Sequence, residues 1–272
     1  GAESQGAADR PRATSGGAHT SRAKHYIHKK WHENMYGWRA RVGLIIPSSN
    51  TTNEPEFAGA LPEGVSLHTA RMYLTENEPD ELETMAADVE RCGELLATAN
   101  VDVLAYGCTT GSLVKGSGYD EEIERRLEET TGIVSVATAA SIKRAFDALG
   151  VDRIAIATPY EQELDERERR FLEDAGYDVA EIRGLGIRMN TEVGAQPPMR
   201  SYRQASDLFK RLSDAVDAIF ISCTNYRTFE TIPLLEEDTG VPVVTSNQAT
   251  LWDALRRANV STTGLELGRL FE

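Results

Sequence analysis

An internal repeat constrains the fold of this chain more strongly than any other feature of its 272 residues. Four segments of the first half reappear in the same order in the second half, displaced by roughly 108 to 117 residues. The matched pairs are residues 41–47 with 153–159, 71–73 with 188–190, 101–109 with 216–224, and 132–135 with 240–244. Ordered matches at similar spacing indicate two copies of one folding unit. We therefore predict two pseudo-symmetric domains, at residues 41–150 and 151–245, followed by a C-terminal segment at 246–272.

From residue 41 onward, short β-branched runs alternate with longer amphipathic runs, which is typical of an α/β fold. The predicted strands are residues 42–46, 66–71, 102–106, 133–137, 153–157, 178–183, 217–222 and 241–244. The clearest helical pattern covers residues 79–99. Its apolar residues, at steps of three and four, are Leu82, Met85, Val89, Cys92, Leu95 and Ala99. We interpret Cys92 as a core residue, because a buried free cysteine behaves as a small hydrophobic side chain.

The first 34 residues differ from the rest, because they are rich in Gly, Ala, Ser and Arg and lack helical or strand periodicity. We predict that residues 1–40 form an extension of the folded domains, either disordered or the product of a start upstream of Met35. No apolar run is long enough to span a membrane, and none at the N-terminus is of signal-peptide type. These features predict a cytoplasmic protein that binds no membrane.

The charge of the chain is acidic and unevenly distributed. The net charge is −14, although residues 1–40 carry seven Lys or Arg against three acids. Beyond them, the only lysines are Lys115, Lys143 and Lys210. Salt screens the self-repulsion of such a surface, so we predict a halophilic protein, the alternative being an acidic protein from ordinary salinity. The same charge argues against nucleic-acid binding, which requires basic patches.

The cysteine and histidine content limits the available chemistry. The chain has three cysteines, no Cys-x-x-Cys motif, and five histidines, of which four lie in the first 32 residues. We therefore predict neither a disulfide framework nor a metal site. If the chain is an enzyme, thiols and amides must perform its chemistry.

Cys108 and Cys223 occupy equivalent positions in the two copies, each directly after an apolar strand. Functional groups of open parallel sheets gather beyond the carboxyl ends of the strands. Small polar residues follow each cysteine, at 109–112 and 224–225. If a helix begins there, its N–H groups would lower the thiol pKa or hold a substrate carboxylate. One such cysteine would be interpreted as strand-end packing, but two at equivalent positions predict a catalytic pair.

The loops after the first strand of each copy carry further hydrogen-bond donors. Residues 47–53 read Pro-Ser-Ser-Asn-Thr-Thr-Asn, and residues 158–160 read Thr-Pro-Tyr. Asn50 and Tyr160 are best placed to donate to an anionic oxygen, and Asn190, in a loop of the second copy, is a third donor. The alternative interpretation of these residues is loop and helix-cap chemistry.

Residues 38–258 resemble the maleate cis-trans isomerase branch of the aspartate/glutamate/hydantoin racemase superfamily. The motifs that carry the resemblance are residues 47–52, 107–112 and 158–160, Asn190, and residues 222–225. The resemblance implies two Rossmann-like (flavodoxin-like) domains whose parallel sheets face each other across a central cleft, with one cysteine from each. It also implies a C-terminal helix that crosses back to the first domain, and no metal or organic cofactor.

By this resemblance, Cys108 is the nucleophile and Cys223 the proton donor, while Asn50, Tyr160 and Asn190 fix the carboxylates of a small dicarboxylate. Similarity to the related arylmalonate decarboxylases, which keep only the second cysteine, implies a dioxyanion pocket. Its residues would be Thr109, Thr110, Tyr160 and Thr224. Ser48 and Asn225, which lie in the same motifs, complete the predicted substrate-binding set.

The sequence thus predicts a cofactor-independent isomerase in which a thiolate adds to an alkene carbon. Three alternatives stay open. The first is a two-cysteine amino-acid racemase, for which Glu161 or Glu192 would have to recognise the substrate ammonium. The second is a decarboxylase acting through Cys223, and the third is a protein that binds a dicarboxylate without converting it. We expect a homo-oligomer, either a dimer or a tetramer.

Overall fold

The computed structural model describes residues 35–76, 81–82, 85, 88–212 and 215–272. The strands and α-helices of these residues are, in chain order, β1 (Ala40–Pro47), α1 (Asn53–Ala60), β2 (Val65–Met72), α2 (Val89–Ala97), β3 (Val103–Tyr106), α3 (Thr109–Leu113), α4 (Tyr119–Thr131), β4 (Ser135–Ala137), α5 (Thr138–Leu149), β5 (Arg153–Ala157), α6 (Gln162–Asp174), β6 (Asp178–Arg183), α7 (Asn190–Gly194), α8 (Pro198–Leu212), β7 (Ala218–Ile221), α9 (Ile232–Thr239), β8 (Val243–Thr245) and α10 (Ser246–Arg257). The extension predicted upstream of Met35 lies outside the described residues.

The strands form two parallel sheets with the same order, β2-β1-β3-β4 and β6-β5-β7-β8. All eight predicted strands are present, with ends shifted by at most two residues, so the α/β prediction is confirmed. In each sheet the second strand of the domain lies on one side of the first strand, and the third strand lies on the other side. The loops after β1 and β3, and after β5 and β7, therefore meet at a topological switch point, where ligands of such sheets bind.

The central strands are buried on both faces, as their continuous apolar runs require. Every residue of β3 and of β7 is buried. The apolar core also continues between the domains, since Phe146 of α5 packs edge-on against Phe220 of β7 with ring centroids 5.6 Å apart. The two sheets are thus held in contact by shared apolar packing as well as by the chain.

The helix α10 begins in the second domain and packs on the first. Thr245 and Gln248 form a capping box at its start, which fixes where the helix begins. Along α10, Asp253 accepts hydrogen bonds from Ser141 at 2.9 Å and from Arg144 at 2.7 Å, both on α5. The domain limits at residues 150 and 245 stay a prediction, but α10 contacts both sides of the proposed division.

The helix predicted at residues 79–99 differs from expectation at its C-terminal end, where α2 stops at Ala97 and Ala99 is exposed. Its described apolar stripe follows Leu82, Met85, Val89 and Cys92, all buried, and then continues to Leu96. Leu95 is 56% exposed, so its assignment to the core was wrong. Apolar residues at alternating steps of three and four stay on one face of a helix. The steps from Val89 to Cys92 and from Cys92 to Leu95 are both three residues, so Leu95 lies away from that face. The prediction that Cys92 is a core residue is confirmed.

None of the helices in the described part of the chain has the length and apolarity needed to cross a membrane.

Candidate active site

The switch points bring Cys108 and Cys223 together with the predicted donor loops. Cys108 follows β3 and is the N-cap residue of α3, and Cys223 follows β7. Both thiols are nearly closed off from solvent, with 3% and 6% of the residue exposed. Their loops are joined, because the Ser246 hydroxyl bonds both to Thr109, the residue after Cys108, and to the backbone N–H of Cys223. The fold therefore joins one cysteine from each repeat at one buried site.

The Cys108 sulfur accepts a hydrogen bond from the backbone N–H of Gly111 at 3.3 Å, and Thr110 Oγ1 lies 3.9 Å from it. A Cβ at position 111 would lie 2.9 Å from this sulfur, so glycine permits the close approach. Burial nevertheless raises the pKa of the thiol to about 11, although both hydrogen bonds lower it. The expectation of a lowered pKa was therefore wrong, because burial outweighs the donors at the start of a five-residue helix.

Cys223 adopts a left-handed backbone conformation, with φ at 95°, which is strained for a residue with a side chain. Its sulfur accepts a hydrogen bond from the backbone N–H of Asn225 at 3.4 Å. Burial raises the pKa of the Cys223 thiol to about 12, while hydrogen bonds from Tyr160 and Asn225 lower it. The Cys223 thiol is thus neutral at neutral pH, and its backbone is held in a strained conformation. Strained residues of this kind cluster at functional sites.

Ser246, the first residue of α10, connects the two cysteine loops. Its hydroxyl accepts a hydrogen bond from the Thr109 hydroxyl at 2.8 Å and another from the Cys223 backbone N–H at 3.0 Å. Ser246 is completely buried. Ser246 was not predicted as a site residue, because its local signal in the sequence is limited to its position at the start of the last helix.

Asn50 spans the two domains. Its side-chain oxygen accepts hydrogen bonds from the backbone N–H groups of Thr52 and Asn53, both at 2.9 Å, which caps the start of α1. Its amide nitrogen donates to Thr224 Oγ1 at 3.1 Å, and that hydroxyl donates to the Gly107 carbonyl at 3.2 Å. One end of Asn50 thus serves the start of α1, while the other end faces the second domain. Thr52 is the N-cap residue of α1, but its side chain makes no capping bond.

Two further asparagines continue this contact between the domains. Asn190 donates from its amide to Ser49 Oγ at 2.8 Å. Asn225 donates to the Asn190 carbonyl at 2.6 Å and accepts from the Thr51 N–H at 2.9 Å. These side-chain groups lie beyond the carboxyl ends of the strands, where the sequence predicted them, and Asn190 is the first residue of α7.

The remaining predicted donors, Tyr160 and Ser48, differ in position. Tyr160 is 1% exposed, and its hydroxyl forms side-chain hydrogen bonds with Cys223 and Ser222. Ser48 is exposed, and its hydroxyl exchanges hydrogen bonds with the backbone of Leu74 at 3.1 and 3.3 Å. Ser48 therefore supports the end of β2, and Tyr160 contacts a thiol directly.

Glu168 and Ser222 are further neighbours of this site. Ser222 belongs to the motif at residues 222–225 but was assigned no role from the sequence, and Glu168 was not predicted. Ser222 Oγ donates to Glu168 Oε1 at 2.6 Å. Burial raises the pKa of the Glu168 carboxyl to about 8. A signal was present in α6, because Leu164, Phe171 and Glu168 share the buried helical face. An acid on such a face is rarely buried without a specific role.

The fold and the thiol pair define a class of two-domain α/β proteins with one buried cysteine beyond the third strand of each domain. Residues 42–271 match the family model described as arylmalonate decarboxylase. A maleate isomerase of Pseudomonas putida is 32% identical over 231 residues, which cover 79% of this chain and 90% of the relative. The chain belongs to the family of arylmalonate decarboxylases and maleate isomerases, within the aspartate/glutamate racemase superfamily.

Solved structures agree with this assignment. The maleate isomerase of Pseudomonas putida S16, solved with maleate as a cysteine-to-alanine variant, has a TM-score of 0.82 at 30% identity, covering 85% of this chain and 97% of its own. The maleate cis-trans isomerase of Nocardia farcinica, solved as a cysteine-to-serine variant with a covalently bound succinylcysteine intermediate, has a TM-score of 0.80 at 28% identity. This similarity covers 85% of the present chain and 98% of the Nocardia chain.

Proposed function

We propose that this protein converts maleate, or a closely related small cis-dicarboxylate, into the trans isomer, with Cys108 as nucleophile and Cys223 as proton donor. The observation that carries the proposal is the pair of buried thiols, which come from equivalent positions of two repeated domains and whose loops are joined through the Ser246 hydroxyl. Isomerisation by addition needs one group to attack an alkene carbon and a second to protonate its neighbour. Two thiols at one site supply both.

The protein is a cis-trans isomerase with a catalytic cysteine, as its relatives are. The succinylcysteine of the Nocardia enzyme is the product expected when a thiol adds across the double bond of maleate. The isomerase of Pseudomonas putida S16 was solved with maleate itself. These relatives support a dicarboxylate as the substrate class and a carbon–sulfur adduct as the intermediate.

The double bond must lose its π component before its two carbons can rotate. Because burial keeps Cys108 a thiol at rest, the proposed reaction begins when this thiol gives its proton to solvent. An electron pair of the resulting thiolate then forms a bond to one alkene carbon, and the π electrons move to the neighbouring carbon. The Cys223 thiol gives its proton to that carbon and becomes a thiolate. After rotation, this thiolate takes the proton back, the carbon–sulfur bond breaks, and its electron pair returns to Cys108. The trans alkene is left, and the atoms and charges balance.

The surrounding donors are proposed to hold the substrate carboxylates, one of which takes up negative charge during addition. Thr109, Thr110 and Tyr160 lie beside the two thiols or their neighbours. The other proposed ligands are Asn50, Asn190, Thr224, Asn225 and Ser48. Several of these donors bond to one another across the two domains, so binding would exchange those bonds for bonds to carboxylate oxygens. Exchange of equivalent hydrogen bonds costs little free energy.

The alternatives predict different use of the same residues. A racemase would need an ionised acid near the thiols to bind the substrate ammonium. Glu161 and Glu192 are both exposed, whereas the thiols are buried, and burial raises the pKa of the nearby Glu168 to about 8. A decarboxylase acting through Cys223 would leave the buried Cys108 without a role. Both observations favour the isomerase, which uses the two thiols together.

One experiment separates these reactions. The purified protein is incubated in high salt with maleate, aspartate, glutamate and an arylmalonate, and proton NMR in deuterium oxide follows each mixture. We expect the signals of maleate to be replaced by those of fumarate. Deuterium entering the α-position of an amino acid would instead identify a racemase, and loss of carbon dioxide from the arylmalonate a decarboxylase. No conversion of maleate or any other cis-dicarboxylate would refute the proposal.

The cellular setting is proposed from the charge of the sequence. A net charge of −14 and few lysines support a halophilic protein of a salt-rich cytoplasm. The same charge supports a protein without nucleic-acid or membrane partners. We propose that it acts as a homo-oligomer, a dimer or tetramer, on a free small dicarboxylate without an added cofactor.

A further inference from the structure

A chain of polar side chains leads from Cys223 into the interior of the second domain. The Tyr160 hydroxyl forms side-chain hydrogen bonds with the Cys223 thiol and with Ser222. Ser222 Oγ in turn contacts Glu168 Oε1 at 2.6 Å. Tyr160, Ser222 and Glu168 are each no more than 1% exposed. A thiol and a carboxyl are thereby connected through two hydroxyls that bulk water does not reach.

The Glu168 carboxyl suits the storage of a proton. Burial raises its pKa to about 8, partly offset by the bond from Ser222, so the group is mostly protonated at neutral pH. It is still a stronger acid than the Cys223 thiol, whose pKa burial raises to about 12. Its second oxygen, Oε2, has no hydrogen-bond partner among the described residues.

The charged groups described near Glu168 would not stabilise a permanent negative charge on its carboxyl group. Asp165, one turn earlier on α6, raises the Glu168 pKa further. The helix α3, which packs against α6, brings no titratable residue. On β6, Glu181 and Arg183 pair with each other at 3.8 Å and are partly exposed. An ionised Glu168 would therefore be a temporary state, which is what a proton store requires.

We infer that Glu168 is the proton reservoir of Cys223 and exchanges a proton with that thiol through Ser222 and Tyr160. The inference rests on the proposed isomerisation, in which Cys223 is a buried thiolate for as long as the adduct exists. For this transfer the Ser222 hydroxyl turns from Glu168 Oε1 towards Tyr160. The Tyr160 proton then moves to sulfur, the Ser222 proton to Tyr160, and the Glu168 proton to Ser222. Only S–H and O–H bonds change, and the negative charge moves from Cys223 to Glu168. Elimination reverses each transfer.

The first domain has no equivalent of this link at the corresponding position. Gly107 stands in the first repeat where Ser222 stands in the second. A Cβ at position 107 would lie 2.9 Å from both Asn53 Nδ2 and Ile46 Cγ2, so the packing there excludes a serine. Cys223 is thus linked to a buried acid through the serine that precedes it, whereas a glycine precedes Cys108, although the two domains share one fold. This difference fits a nucleophile at Cys108 and an acid at Cys223.

The test compares Glu168→Gln with Glu166→Gln, a matched change at an exposed position of the same helix. Glu168→Gln keeps a side chain of the same shape but removes the exchangeable acid. We expect its kcat for maleate to fall by about 10²-fold, with KM nearly unchanged. The wild-type kcat should decline as pH rises through about 8, where Glu168 loses its proton. That limb should disappear in Glu168→Gln and persist in Glu166→Gln.

Ser222→Ala supplies a second, independent break in the chain, because it leaves the buried acid in place. It should also remove the pH limb, and the double variant should lose little more than either single variant. An unchanged pH limb in Ser222→Ala would overturn the reservoir even if Glu168→Gln does not fold. Formation of the Cys108 adduct in Cys223→Ser distinguishes a failure of the proton reservoir from a failure of the proposed isomerisation. An adduct together with a wild-type profile in Glu168→Gln refutes the reservoir alone, whereas no adduct and no isomerisation refute the proposed function and the reservoir with it.

Discussion

The Thr109 hydroxyl donates a hydrogen bond to the Ser246 hydroxyl at 2.8 Å and so ties the residue after one cysteine to the helix that crosses between the domains. The same serine oxygen accepts the Cys223 backbone N–H. A single buried hydroxyl thereby fixes the separation of the two cysteine loops. Because Cys223 holds a left-handed conformation, its N–H direction depends on having this acceptor in place.

Ser246→Ala should therefore impair both stability and catalysis. It leaves a buried N–H at Cys223 without its acceptor, so we expect the free energy of unfolding to fall by about 1–3 kcal/mol. The kcat for maleate should fall more than KM rises, since the change displaces the proton donor. Urea unfolding and steady-state kinetics measure the two effects. Ser261→Ala, at an exposed serine, should change neither, and lost stability with intact kcat would show that the bond supports only the fold.

The cysteine variants should separate nucleophile from proton donor. Cys108→Ser should abolish isomerisation, because a serine hydroxyl is too weak an acid to supply an equivalent nucleophile without a base. Cys223→Ser should be severely impaired and should accumulate a mass gain equal to the dicarboxylic acid on the peptide containing Cys108. Peptide mass spectrometry after incubation with maleate detects the adduct.

Cys92→Ala is the matched control for these variants, because Cys92 is a free, buried cysteine in the packing of α2. It should retain most of the activity, with a modest loss of stability from the smaller side chain. Isomerisation that survives Cys108→Ser would contradict the role assigned to that residue.

The parts of the fold that the sequence predicted correctly depend on local patterns. The strands β3 and β7 are buried on both faces, which leaves continuous apolar runs that are readable without any tertiary information. The repeat then places Cys108 and Cys223 at the same point of two sheets, and the switch-point rule places them at a site. Their assignment as a pair required no contact between distant residues.

The parts that the sequence did not predict depend on distant contacts. Ser246 meets Thr109 across 137 positions of the chain, and no local pattern records that distance. The raised pKa of Cys108 has a similar origin, because its burial in the folded protein outweighs the hydrogen bonds supplied by its own loop. Glu168 is intermediate, since its place on the buried face of α6 was visible but its contact with Ser222 was not.

Salt should stabilise the protein if the acidic surface is a halophilic one. Repulsion among surface charges extends about 10 Å at 0.1 M salt and about 3 Å at 1 M. We expect the melting temperature and the activity to fall as KCl is diluted. Sucrose at matched osmolarity is the control, because it does not screen charge. An unchanged melting temperature and full activity in dilute buffer would contradict the halophilic interpretation and leave the catalytic one intact.

Buried acids should make the protein more stable at mildly acidic pH. Burial raises the pKa of Glu168 from 4.5 to about 8 and that of Asp165 from 3.8 to about 6. At a pH between the unfolded-state pKa and the raised, folded-state pKa of each acid, the folded protein binds more protons than the unfolded chain. The free energy of unfolding therefore decreases as pH rises through that range. The contribution of Glu168 is complete below about pH 4.5 and is lost as pH rises through about 8. Urea unfolding at pH 5 and pH 8, at constant high salt, should show a smaller decrease in Glu168→Gln than in the wild type or in Glu166→Gln. Equal decreases in all three proteins would mean that Glu168 is ionised in the folded state, and a carboxylate that is already ionised has no proton to supply to Cys223.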